Sequence, residues 1–180
     1  MAATFQWGED NGTTTGSPAR GATRQVPITN INFGTQDNYN IVHATYSIAL
    51  GDNSFDKFIF GVFSGTWTQI SNVKIRNTAG ALGSGVTIKA KNNVAYTTPA
   101  QITNTSLTND ITTPGAISGG YALNLKDTPQ DAGVTGSSSV LYTTYPTAYT
   151  AFWGVQLQTS PSASPGAGAT ITWTLQYDEQ

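Results

Sequence analysis

The chain has 180 residues, no cysteine, a formal net charge of −2 and only 10% charged side chains, against about 25% in an ordinary soluble domain. One domain of this length buries roughly 70% of its unfolded surface, so a core is within reach, but neither disulfides nor a cysteine-containing zinc centre can reinforce it. Scarce cations exclude electrostatic capture of nucleic acid as the main role, and four Trp, eight Tyr and seven Phe are foreign to the aromatic-poor composition of disordered chains.

Residues 1–25 hold turn formers from Asn11 to Gly21 and almost nothing to bury, which predicts an extended N-terminal arm. Phe5 and Trp7 are its apolar anchors, for its own domain or for a neighbouring subunit. The start Met1–Asp10 has neither a basic segment nor an apolar run, so no secretion signal is expected. No stretch approaches the roughly 18 apolar residues of a membrane helix, and no membrane partner is expected. From Tyr39 the pattern becomes period two, with Val42, Ala44, Tyr46, Ile48 and Leu50 on one face, predicting a strand. After a turn at Gly51–Ser54, Phe55–Phe63 is apolar on both faces, as in a central strand covered on both sides.

Ile70–Arg76 and Val86–Lys91 predict paired strands joined by a glycine-rich loop. Short strands follow near Asn93–Tyr96, Gln101–Thr105 and Tyr121–Leu125, and Gly133–Ser139 is loop. In the last two strands, Tyr149, Ala151, Trp153, Val155 and Leu157 share one face, as do Ala169, Ile171, Trp173, Leu175 and Tyr177, with a hairpin-type loop between them. No helical stripe of ten residues occurs. The pattern predicts an all-β fold: an antiparallel β-sandwich, jelly-roll-like, as one domain over residues 26–180 behind the arm of residues 1–25.

Chemistry has few candidates. His43, the one histidine, lies on the polar face of its expected strand without a nucleophile elbow, which fits a solvated side chain better than a catalytic base. Asp52 with Asp56, Asp127 with Asp131, and Asp178 with Glu179 flank strand ends, where aspartate normally caps turns. Glu9–Gly12 and Asp52–Asn53 supply oxygens but lack the spaced ladder of a calcium loop. No catalytic residue, cofactor or metal is therefore assigned. The cations Lys74 and Arg76, with Lys89 and Lys91, would gather on one hairpin face if their strands pair, as a contact for an acidic surface or as a charged edge that resists aggregation.

Gln69–Ile75, Gly85–Lys89, Tyr96–Pro99, Gln156–Gln158 and Thr174–Glu179, in that order, resemble small all-β structural proteins of tailed bacteriophages, over about residues 55–180. The resemblance implies a virion component, foremost a capsid decoration (cement) protein. Such a protein is made in the host cytoplasm and carried on the capsid surface, where it binds the major capsid protein and stabilises the head. It carries no enzymatic activity. The resemblance does not reach the arm; from the arm's apolar anchors and the basic strand faces, the expected contacts of this chain are Phe5, Trp7, Lys74, Arg76, Lys89 and Lys91, and the expected assembly is a homo-oligomer, a trimer foremost. The alternative is a carbohydrate-binding module or receptor-binding fibre component presenting Trp67, Tyr142, Tyr145 and Tyr149 to glycans.

Overall fold

A computed structural model describes residues 3–16, 19–80, 82–110, 121–122, 140–142, 147–164 and 170–180, and among these every regular element is a strand. They are β1 (Ala3–Thr15), β2 (Arg20–Ile28), β3 (Lys57–Gly65), β4 (Gln69–Ala79), β5 (Val86–Val94), β6 (Asn109–Asp110), β7 (Tyr121–Ala122), β8 (Val140–Tyr142), β9 (Thr147–Tyr149), β10 (Phe152–Thr159) and β11 (Thr172–Glu179). Among the described residues the main sheet has seven strands in the order β2-β1-β3-β10-β5-β6, with β9 also paired to β3. The second has four, β11-β4-β7 with β8 paired to β4. All pairings are antiparallel.

The apolar run through β3 explains the centre of the fold. Successive side chains of a strand point to opposite faces, so Ile59 and Phe63 enter one core while Phe58, Phe60 and Val62 enter another. The first core joins the two sheets: Ile88, Ala90, Trp153 and Val155 of the main sheet meet Ile70 of β4 and the Ile171, Trp173, Leu175, Tyr177 row. Trp153 and Trp173 lie 4.9 Å apart, and Phe63 and Tyr177 meet edge-on at 5.1 Å, contacts worth about 0.5–1.5 kcal/mol each beyond their buried area. The second core lies on the outer face of the main sheet, where Phe58, Phe60 and Phe152 pack with Tyr96.

Several expectations are corrected. The segment expected to be an arm is the hairpin β1–β2, and the boundary at residue 25 falls inside β2. β1 pairs with β3 from Ala3↔Gly65 to Asp10↔Phe58, in the sheet interior. Its turn residues serve a bulge: the β1–β2 register slips between Asn11 and Thr14, around Gly12 at φ 84°, a conformation that glycine adopts without a Cβ penalty.

Residues 39–50 form turns instead of a strand, with the Val42 carbonyl accepting from both Thr45 N and Tyr46 N. Alternation makes a strand only where a sheet edge and a core await it; here Val42 and Leu50 stay exposed. Residues 101–105 are likewise bends and turns. β4 and β5 do not pair: β4 pairs with β11 in the second sheet and β5 with β10 in the main one. The connection after β10 therefore passes between sheets and closes no hairpin. Gly133–Ser139, Asp127, Asp131 and Ala169 lie outside the described residues.

Candidate functional site

The alternation of β1 sorts its polar residues onto two faces. Trp7 packs on the core that joins the sheets, and Glu9 and Asn11 follow it at period two. On β3, Lys57 keeps the parity of Ile59 and Phe63. Continuing the β1–β3 register one step beyond Asp10↔Phe58 sets Asn11 opposite Lys57. Glu9 and Lys57 are wholly buried, and Asn11 is 4% exposed.

These three side chains converge on one atom. Lys57 Nζ donates to Glu9 Oε1 at 2.9 Å, and Asn11 Nδ2 donates to the same oxygen at 2.7 Å. The loop before β3 closes over them: Lys57 Nζ also donates to the Asn38 carbonyl at 2.6 Å, while Asp37 accepts from Asn11 Nδ2 at 2.9 Å and from Gly12 N at 2.7 Å. Two buried oxygens, Glu9 Oε2 and Asn11 Oδ1, have no hydrogen-bond partner among the described residues. Unsatisfied buried polar atoms are few in native structures and call for a reason.

On the opposite face of β1, Asp10 is buried and receives a fork from Arg24, with Nε on Oδ1 and a terminal nitrogen on Oδ2, both at 2.8 Å. The guanidinium lies 4.7 Å from the centre of the Phe60 ring and 5.5 Å from that of Tyr149, a stacking suited to its planar, weakly hydrated charge. Tyr96 donates to the Gly12 carbonyl at 2.6 Å. Burial, then the charges of Asp37, Asp10, Asp56 and Glu9, push its hydroxyl well above the ordinary tyrosine range.

A second polar network pins the 100–107 loop. Asp56 accepts from Ala100 N and Asn104 Nδ2, and Gln156 donates to the carbonyls of Ser54 and Ile102 while accepting from Asn104 N. Burial raises the Asp56 carboxyl above its ordinary value, and its two hydrogen bonds pull the other way. Beside this loop lies a cleft of about 310 Å³ with Phe58, Val94 and Leu107 in its wall and Lys91, Thr97 and Ser106 among its polar lining.

The residues singled out from sequence are dispersed. Phe5 and Trp7 are partly buried against the protein's own core, 4.8 Å apart and edge to face, with Phe5 5.1 Å from Phe63. Lys74 and Arg76 stand on β4 of the second sheet, opposite Gln176 and Thr174. Lys89 and Lys91 stand on β5 of the main sheet; Lys89 pairs with Asp110 at 3.2 Å and Lys91 is exposed at the cleft. The four cations thus form no common hairpin face. His43 is exposed in a turn, and Asp52 is exposed where Asp56 is buried.

Among the glycan-facing aromatics, Trp67 is 1% exposed and Tyr149 is partly buried beneath Arg24. Tyr142 lies in β8 and Tyr145 outside the described residues. Among the described residues no group of three or more histidines or carboxylates is placed to hold a metal ion, and no helix is long and apolar enough to cross a membrane.

The Glu9–Asn11–Lys57 cluster was hidden in the sequence by the turn-rich composition around it. Two signals pointed to it: the alternation Phe5, Trp7, Glu9, Asn11, and a lone lysine at the head of the apolar β3. No family model, no curated protein and no solved structure matches this chain.

Proposed function

We propose that the protein is a virion structural protein, foremost a decoration protein that binds the major capsid protein on the outside of a tailed-phage head and stabilises it. In this reading the two sheets are the layers of a jelly-roll-like antiparallel β-sandwich, and the protein acts by binding, as a trimer or another cyclic cluster. The observation that carries the reading is the double core about β3, aromatic on both faces and flanked by the buried ion pairs Arg24–Asp10 and Lys57–Glu9, in a chain with no cysteine. That construction suits a particle protein, which folds in a reducing cytoplasm and must then outlast it.

Its attachment face is best sought away from Phe5 and Trp7, which the hairpin commits to its own core. Lys91 and the exposed rim residues Val42, Leu50 and Ile102 are the better contacts. The test is quantitative mass spectrometry and imaging of purified particles. A fixed copy number per capsid supports the reading, and absence from particles ends it. The cleft beside Lys91 favours the glycan-binding alternative in one respect, since an apolar wall with a polar rim can take a single sugar unit. Binding on a glycan array at micromolar strength, without particle association, would select it.

A further inference from the structure

The cluster of Glu9, Asn11 and Lys57 holds the parts of a bond-forming site, and we infer that it joins Lys57 to Asn11 through an intramolecular amide. Going beyond the virion reading and independent of it, the inference concerns a modification of the chain by itself.

A lysine amine is a nucleophile only when neutral, and a carboxylate in hydrogen-bond contact is a group to which its proton can pass. Lys57 and Glu9 are both 0% exposed and 2.9 Å apart. A proton passing from Nζ to the Glu9 carboxyl leaves two neutral groups in place of two buried charges, which lowers the desolvation cost of the pair. The carboxamide of Asn11 hangs from the same Glu9 oxygen at 2.7 Å. Amine and electrophile are therefore held side by side on adjacent strands, the arrangement that turns a slow encounter into a fast intramolecular step.

The two orphan oxygens fit the same chemistry. Once Glu9 is protonated, Oε2 can donate, and Asn11 Oδ1 lacks a donor; a hydrogen bond between them would polarise the carbonyl under attack. The Nζ lone pair adds to Asn11 Cγ, forming the C–N bond while the carbonyl electrons move to Oδ1. As they return, the Cγ–Nδ2 bond breaks. Glu9 relays a hydrogen from Nζ to Nδ2, and one ammonia leaves. The product is a secondary amide between Asn11 Cγ and Lys57 Nζ, and the balance needs no oxidant, reductant or co-substrate. Asp37, bonded to Nδ2 at 2.9 Å, acts as a positioning residue for the leaving nitrogen. The structure as described holds the unreacted pair.

One competing route has the same mass balance. Asn11 precedes Gly12, and attack by the Gly12 backbone nitrogen on Cγ would also expel ammonia to give a cyclic imide. In the structure that nitrogen is engaged by Asp37 at 2.7 Å.

The experiment is intact-mass spectrometry of the purified, denatured full chain, followed by tryptic mapping. The expected mass is lower than the sequence mass by one ammonia, with no cleavage after Lys57 and a branched peptide containing Asn11 and Lys57. Glu9→Gln and Lys57→Arg are expected at full mass, and Asn11→Asp is expected to lose one water instead of one ammonia. A wild-type chain at full mass and cleaved after Lys57 overturns the proposal without reference to how any variant folds. Ammonia loss that persists in Lys57→Arg also overturns it, by assigning the loss to the imide.

Discussion

Lys57 sits where a charge has no solvent to fall back on, and its energetics follow from that. Removing one partner of a buried pair strands the other and costs about 3–5 kcal/mol, whereas replacing both by apolar residues of similar volume is often neutral. In an Asn11→Ala background, which cannot form the amide, Lys57→Ala is therefore expected to destabilise the protein by at least about 3 kcal/mol, and the double variant Glu9→Leu/Lys57→Met to recover most of the loss. Urea unfolding of the set, analysed as a double-mutant cycle, measures this. Equal losses in the single and double variants would show that the lysine's packing matters and its charge does not.

Asp56 gives a residue-scale pH dependence. Its folded-state pKa is raised from 3.8, so between 3.8 and the raised value the folded chain binds more protons than the unfolded one. The stability contributed by this group is then whole below pH 3.8 and is lost as pH rises through the folded value. Asp56→Asn is expected to flatten the decline, read as urea midpoints in stepped buffers from pH 3.5 upward. A wild-type midpoint that rises throughout that interval by as much as the variant's would contradict it.

At the scale of elements, the decisive strand is β1. Composition alone assigns residues 1–25 to an arm, and an arm can be trimmed without loss of the fold. In the structure β1 lies between β2 and β3 and its Gly8 faces the Phe60 ring and Val26, with 2.8 Å between the Val26 methyl and a Cβ built at this position. Deleting residues 1–15 is expected to abolish the cooperative unfolding transition followed by circular dichroism; a truncated chain that melts as the full one does would restore the arm.

This strand also shows what the sequence carries and what it withholds. The two-sided run of β3 and the Ile171–Tyr177 row could be read directly, because a buried strand announces itself by unbroken or alternating apolar residues. β1 could not, because its buried members are Gly8 and the polar Glu9, Asp10 and Asn11, and the burial of those three depends on Lys57, Arg24 and Asp37 arriving from distant positions. Residues 39–50 show the reverse: their alternation is clean, yet they form turns and leave Val42 and Leu50 exposed. Pairing was harder still: nothing local tells β4 to choose β11, or β5 to choose β10.

For the whole molecule, the two ends of the chain come together: Ala3 N donates to Glu179 Oε1 at 3.0 Å. Chains whose ends meet usually tolerate permutation at exposed loops. A permutant opened between the exposed Gly83 and Ser84, with the old ends joined by a short glycine linker, is expected to keep the fold. Its thermal midpoint should lie within a few degrees of the parent by circular dichroism, and failure to fold would mean that the β4–β5 connection is needed for the sheets to find each other.

The β1–β3 register places that meeting of ends beside Gly65, where β3 finishes, whereas the Asp56 network ties the 100–107 loop to the start of the same strand, about 25 Å away for a strand of this length. A reporter or passenger domain fused at either end would accordingly project from one pole and leave the far rim unobstructed, a convenient geometry for tethering the protein to a surface.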